Sequence, residues 1–174
     1  MINFLRFKFL IIAFSLLFLS ACGYRFSGEG KGPCPEFNKI AIPMFENSTA
    51  EPRLEVVFTS ALRREFNIRG GFKLVPSDQA QMIFHGRVKR LTTTDIAHRE
   101  AKDTIETRIT VTLAIQCRDA ENNTVIWEDP NMTYYEEYFR TGNPITDFEN
   151  RRHALEKIAR EMAIRIHDRF SSGF

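Results

Sequence analysis

Across residues 105–118 the chain alternates between two sets of side chains without a break. Ile105, Thr107, Ile109, Val111, Leu113, Ile115 and Cys117 form one set, and Glu106, Arg108, Thr110, Thr112, Ala114, Gln116 and Arg118 form the other. A period of two puts the sets on opposite faces of a strand, one for a core and one for water. The flanking segments carry weaker forms of the same signal. Met82, Phe84, Gly86 and Val88 share a phase that Leu91 breaks, which predicts a bulge between them. Asp119 to Asn123 reads as a turn, and residues 124–139 as a returning strand interrupted near Pro130.

On either side of this meander the period lengthens. Leu54, Val57, Phe58, Ala61, Leu62 and Phe66 recur at three- and four-residue steps, predicting a helix that Arg69-Gly70-Gly71 stops. Asn47-Ser48-Thr49 offers capping side chains ahead of it, with Glu51 and Pro52 in its first turn. A short apolar strand, residues 39–45, precedes that helix, and Phe72 to Val75 follows as another. Strand, helix and strand at this length form a crossover whose two strands run parallel. A last helix enters at Asn143-Pro144 and lines up Phe148, Leu155, Ile158, Ala159, Met162, Ile166 and Phe170. The expected fold is α+β: two helices packed on a mixed, mostly antiparallel sheet, in the order β-α-β-β-β-β-α.

The amino terminus has another logic. Arg6 and Lys8 precede an apolar run to Leu19, and Leu19-Ser20-Ala21-Cys22 closes it. The run is too short and too poorly flanked for a spanning helix and fits a secretory signal. The terminal Leu-Ser-Ala-Cys resembles the bacterial lipoprotein box. That resemblance implies a diacylated Cys22 thiol, cleavage before it and a third acyl chain on the new amino group. Each buried methylene contributes about 0.8 kcal/mol, so three chains anchor firmly. Residues 1–21 are thus expected to be a signal peptide, 22–37 an acylated, glycine-rich tether, and 38–174 a single domain. Gly23 stands where an aspartate would resemble an inner-membrane retention signal, so the expected location is the periplasmic side of the outer membrane.

Charge and motifs narrow the function. The chain holds 24 Lys+Arg, which fall to 22 once Arg6 and Lys8 are removed, against 22 Asp+Glu. A neutral mature chain argues against nucleic acid as a partner. No nucleophile elbow, phosphate loop or His-Glu-X-X-His occurs, and His153 and His167 on the last helix lie about 21 Å apart, too far to share a metal. The chain reads as a non-enzyme without cofactor or metal. With Cys22 acylated, Cys34 and Cys117 remain. An oxidising periplasm permits a bridge between them, while Cys117 equally fits a buried strand position. Both readings stay open.

Two clusters remain. If Glu100 and Ala101 centre the first meander turn, Arg99 faces Lys102; if Glu121 centres the second, Lys102 lies near Arg140. Arg99, Lys102 and Arg140, with His98 beside them, would form either a phosphate-meeting site or a charged rim that blocks edge pairing. In the last strand Tyr134 and Tyr138 face one way and Tyr135 and Phe139 the other. One pair suits a partner and the other the underside of a helix.

Cys22-Gly23-Tyr24-Arg25-Phe26, the run from Ile40 through Pro43, Phe45, Asn47, Thr49, Glu51-Pro52-Arg53 to Leu54-Glu55, and Thr59-Ser60-Ala61-Leu62 with Phe66 and Arg69 together resemble LptE, the lipopolysaccharide-assembly lipoproteins of Gram-negative outer membranes. The resemblance implies a lipoprotein that plugs the large β-barrel LptD, assists its assembly and binds lipopolysaccharide. It places ligand contacts near the first hairpin tip and just past the last strand, where Arg99 and Arg140 stand; Lys102 is the neighbour that hairpin geometry adds. An enclosing barrel would bury much of the surface, making Tyr134 and Tyr138 candidate interface residues. A strand reading Ile-Ala-Ile-Pro-X-Phe before a helix also resembles periplasmic lipoproteins of the CsgG and LpoB type, a secretion-pore subunit and a synthase activator.

Overall fold

The computed structural model describes residues 33–34, 36–99 and 104–172. Cys22, the tether up to residue 32 and Lys102 lie outside them. The elements run β1 (Lys39–Ala41), β2 (Glu46–Asn47), α1 (Leu54–Arg69), β3 (Lys73–Leu74), a 3-10 turn (Ser77–Gln79), β4 (Met82–Arg99), β5 (Thr104–Asp119), β6 (Val125–Arg140) and α2 (Pro144–Ser172). The sheet order is β3-β1-β4-β5-β6, with β2 also paired to β4. β1 is parallel to β3 and to β4, as the crossover requires, and β4, β5 and β6 form an antiparallel meander. The expected α+β architecture is the one observed.

Both helices cover one face of the sheet. Ile109, Val111, Leu113, Ile115 and Cys117 of β5 are buried beneath them, and the alternate set is half-buried on the open face. Phe66 of α1 and Phe170 of α2 converge on Phe84 of β4, with ring centroids 5.1 and 4.9 Å away, and Trp127 of β6 meets Phe170 at 6.1 Å. These rings knit helices and sheet into one core. The pairing register slips between Val88 and Arg90, which is the bulge that Leu91 announced. It slips again between Leu113 and Ile115 opposite the Asp129–Met132 stretch that contains Pro130.

Four local expectations are corrected. The strand read over residues 39–45 ends at Ala41: Pro43 has no N–H to give a ladder, and pairing resumes only past that range, at Glu46 beside Arg87. Asn47-Ser48-Thr49 does not cap α1. Its side chains fold the loop in front, with Asn47 Oδ1 accepting from Thr49 N and Oγ1 at 3.0 and 2.8 Å. The helix follows Arg53, whose φ of 67° is left-handed, so Glu51 and Pro52 stay outside it. Phe148 is 63% exposed and not part of the core face, because α1 begins only at Leu54 and the first turns of α2 extend past it. Finally, Arg99 pairs with Thr104 and not Lys102, because the register slips between Val88 and Arg90 and again between Asp95 and Ala97.

A charged rim and an aromatic strand

Arg140 ends β6 opposite Ile105 of β5, which is itself opposite His98 of β4. Arg99 lies one row further toward the hairpin tip. The backbone therefore brings two of the three expected basic positions to one end of the sheet, in adjacent rows.

Arg140 shares that end with a network the sequence did not announce. Its Nη1 stands 3.7 Å from Asp95 Oδ2, a long pairing that leaves the guanidinium accessible. Asp95 Oδ1 accepts from Thr107 Oγ1 at 2.8 Å. Across the α2 entry, Asp147 Oδ1 accepts from Thr141 N at 2.6 Å and from Thr141 Oγ1 at 3.1 Å. The backbone bond, helped by the hydroxyl and by Arg140, holds the Asp147 carboxyl below its ordinary range. Asn143 Oδ1 accepts from Ile145 N and Thr146 N, so this loop is rigidly capped into α2.

Arg151, one turn beyond Phe148, is committed to structure. Its Nη2 and Nε donate to Glu51 Oε2 at 2.7 and 3.2 Å, and its Nη1 reaches Tyr138 OH and Thr93 Oγ1, both at 3.3 Å. Partial burial works against its charge, but Glu51 and Tyr138 hold it protonated. Glu51 is fixed in turn, because Asn47 Nδ2 donates to its carbonyl at 2.7 Å and to Glu55 Oε2 at 3.0 Å. Between these groups lies a shallow concavity of about 340 Å³ lined by Thr93, Tyr138, Arg140, Asp147, Phe148 and Arg151. A cation, apolar edges and hydroxyls suit it to an anionic group by charge-assisted hydrogen bonding. Among the described residues no group of three or more His, Cys, Asp or Glu could hold a metal ion.

The tyrosines of β6 divide as alternation requires. Tyr138 is 8% exposed and faces the helices. Tyr134 is half-buried on the same side under the Arg165 guanidinium, 4.4 Å from its ring centroid. On the open face Tyr135 is 52% and Phe139 42% exposed. Arg108 sits 4.5 Å over the Tyr135 ring and donates twice to Glu137 Oε1, at 3.0 and 2.6 Å. The outward aromatic pair is thus Tyr135 and Phe139, with Val125 also exposed on that face.

Cys34 and Cys117 are both free thiols, one half-buried and one buried. Among the described residues no helix is long and apolar enough to cross a membrane.

The architecture defines a small α+β domain with helices on one sheet face and a charged hairpin end. Residues 37–170 match the family described as "LptE: Lipopolysaccharide-assembly", and the chain belongs to that family. No curated protein matches the chain. Among solved structures, it is similar in fold to a homolog of a neuraminyllactose-binding hemagglutinin from Helicobacter pylori, with 11% identity and a TM-score of 0.53, covering 85% of this chain and 89% of that one. It is also similar to a hypothetical protein from Chlamydia trachomatis, with 10% identity and a TM-score of 0.51 over 78% and 98% of the two chains. Lipoprotein B from Nitrosomonas europaea gives 15% identity and a TM-score of 0.50 over 86% and 91%. At these identities the likeness is one of fold.

Proposed function

We propose that this lipopolysaccharide-assembly family member is a non-enzymatic outer-membrane lipoprotein that plugs an LptD-like barrel, assists its assembly and contacts lipopolysaccharide on its way to the surface. Residues 1–21 are its signal peptide, Cys22 its acylated residue, 22–37 its tether and 38–174 its working domain. The observation that carries the reading is the family match over residues 37–170. The lipoprotein box at Leu19-Ser20-Ala21-Cys22 supports a lipid anchor on the periplasmic side.

The ligand is a phosphorylated, acylated glycolipid. Arg140 is an accessible cation of the hairpin end, with Arg99 in the next row; these two, together with Lys102, which follows Arg99 by three positions in the sequence, meet its phosphates. Replacing all three by alanine tests this. Lipopolysaccharide affinity should fall about tenfold or more, on the order of 1.5–3 kcal/mol for each charge-assisted hydrogen bond removed, while the circular dichroism spectrum and Tm stay at the wild-type values. Unchanged affinity would reduce the cluster to a solubilising rim.

A further inference from the structure

Cys117 lies on the buried face of β5, two residues from the strand's end, in register with Phe84 of β4 and Trp127 of β6. Cys34 belongs to the segment that leads into β1, and it packs against the same core cluster that contains Cys117. Several hydrogen bonds hold it at that end of the sheet. Phe37 N donates to the Cys34 carbonyl at 3.0 Å, and the Asn38 and Lys39 amides both donate to Gln81 Oε1, at 3.0 and 3.1 Å. Gln81 immediately precedes Met82, whose partner in the ladder is Asp119, two residues past Cys117, and Ala120 N donates to the Gln81 carbonyl at 2.9 Å.

We infer that Cys34 and Cys117 are a redox clasp, a thiol pair that closes into a disulfide and pins the root of the amino-terminal tether to the central strand. Nothing in the LptE motif requires it, since neither cysteine belongs to the residues that carry the resemblance. The two thiols have distinct chemistry. Burial pushes the Cys117 thiol far up, and the nearby Cys34 adds to this. Cys34 is less buried and is raised by burial and by Glu36 and Asp119. Cys34 is therefore the thiol that reacts first.

The oxidant is a disulfide-donating periplasmic protein or a small-molecule disulfide, written R–S–S–R. Cys34 loses its proton and its sulfur attacks one sulfur of the donor, forming a mixed disulfide and releasing the first R–SH. The Cys117 sulfur then attacks Cys34 Sγ, its proton passing to the departing thiolate as the second R–SH. Two electrons and two protons pass to the donor, and one S–S bond forms within the chain.

Cys34 lies twelve positions after Cys22. At roughly 3.4 Å per residue the clasp sets a leash of at most about 40 Å between the acyl anchor and the domain. Only that consequence rests on the acylation of Cys22; the bridge itself does not.

The test equilibrates the full-length acylated protein, in mild detergent, with a series of oxidised/reduced glutathione ratios, then traps thiols with an alkylating agent in denaturant. Mass spectrometry should find the tryptic peptide 32–39 joined to 109–118, two hydrogens lighter than the pair, with Tm rising by several degrees as the bridge forms. Cys34→Ser should keep the fold and lose the reductant-dependent part of Tm. Free thiols across the whole series, or glutathione adducts on both cysteines, would overturn the clasp. Because the readout is covalent, it fails or succeeds independently of whether a barrel accompanies the protein.

Discussion

The Arg151 guanidinium closes on the Glu51 carboxylate with N–O distances of 2.7 and 3.2 Å, joining two residues a hundred positions apart. The bridge ties the loop before α1 to the third turn of α2, and Tyr138 brings β6 into the same network. It assigns a structural task to the Asn-X-Thr-X-Glu run. Asn47 and Thr49 shape the loop, and Glu51 locks it onto the far helix.

Arg151→Met should therefore cost about 1–2 kcal/mol, the range of a half-buried, hydrogen-bonded charge pair after solvent screening. Glu51→Gln should cost less. In a double-mutant cycle read by urea midpoints, the two changes should couple. Additive losses would mean that the ion pair contributes nothing of its own.

Gly86 has no room for a side chain. A Cβ there would stand about 2.5 Å from the Phe45 ring, which is buried and whose backbone N donates to Thr59 Oγ1 at 3.0 Å. Gly86→Ala should destabilise the domain by about 1–3 kcal/mol, as overpacking does. Combining it with Phe45→Leu should recover part of that loss in thermal unfolding.

His167 introduces an acid sensitivity. It is buried against Phe66, ring centroids 5.0 Å apart, and neither ring nitrogen has a hydrogen-bond partner among the described residues; the Asp168 carboxylate is 3.7 Å from Nδ1. Burial lowers its pKa and Arg69 adds to this, while Asp168 and Glu65 oppose it. The unfolded chain, titrating near the ordinary 6.5, then binds more protons than the native one as pH falls below about 6.5. Stability should decline with pH from there down to the lowered native value, and His167→Leu should flatten that limb of a urea-midpoint profile. An unchanged limb would assign the acid sensitivity to other groups.

The β6 aromatics divide between a buried side and an open side of the strand. Tyr138→Ala should lower Tm, because the ring is buried and its hydroxyl accepts from Arg151. Tyr135→Ser should leave Tm almost unchanged and weaken recovery of a barrel partner, if the open face is what the barrel contacts. The reverse pattern would place the interface on the helix side.

Periodicity made the large elements legible. The alternation of Ile109 through Cys117 marked the central strand, and Leu91 and Pro130 marked its irregular partners, because single-face burial leaves a two-residue rhythm in the sequence. The split at Pro43 was less visible, since Ile42 and Phe45 are buried without belonging to a ladder. At the hairpin, Arg99 and Arg140 were brought to one end by counting from the turns. The count missed the slip at Asp95–Ala97, because a bulge among Thr94, Asp95 and Ile96 leaves no apolar phase to break. Asp95, Asp147 and Arg151 went unnoticed for another reason. Their partners lie on distant elements, and a lone charged residue carries no spacing signal.

The most direct test of a barrel-seated lipoprotein is to purify the acylated protein from outer membranes in mild detergent and identify what accompanies it. One large β-barrel should accompany it in one-to-one stoichiometry. A homo-oligomer, or a cell-wall synthase in the barrel's place, would contradict it.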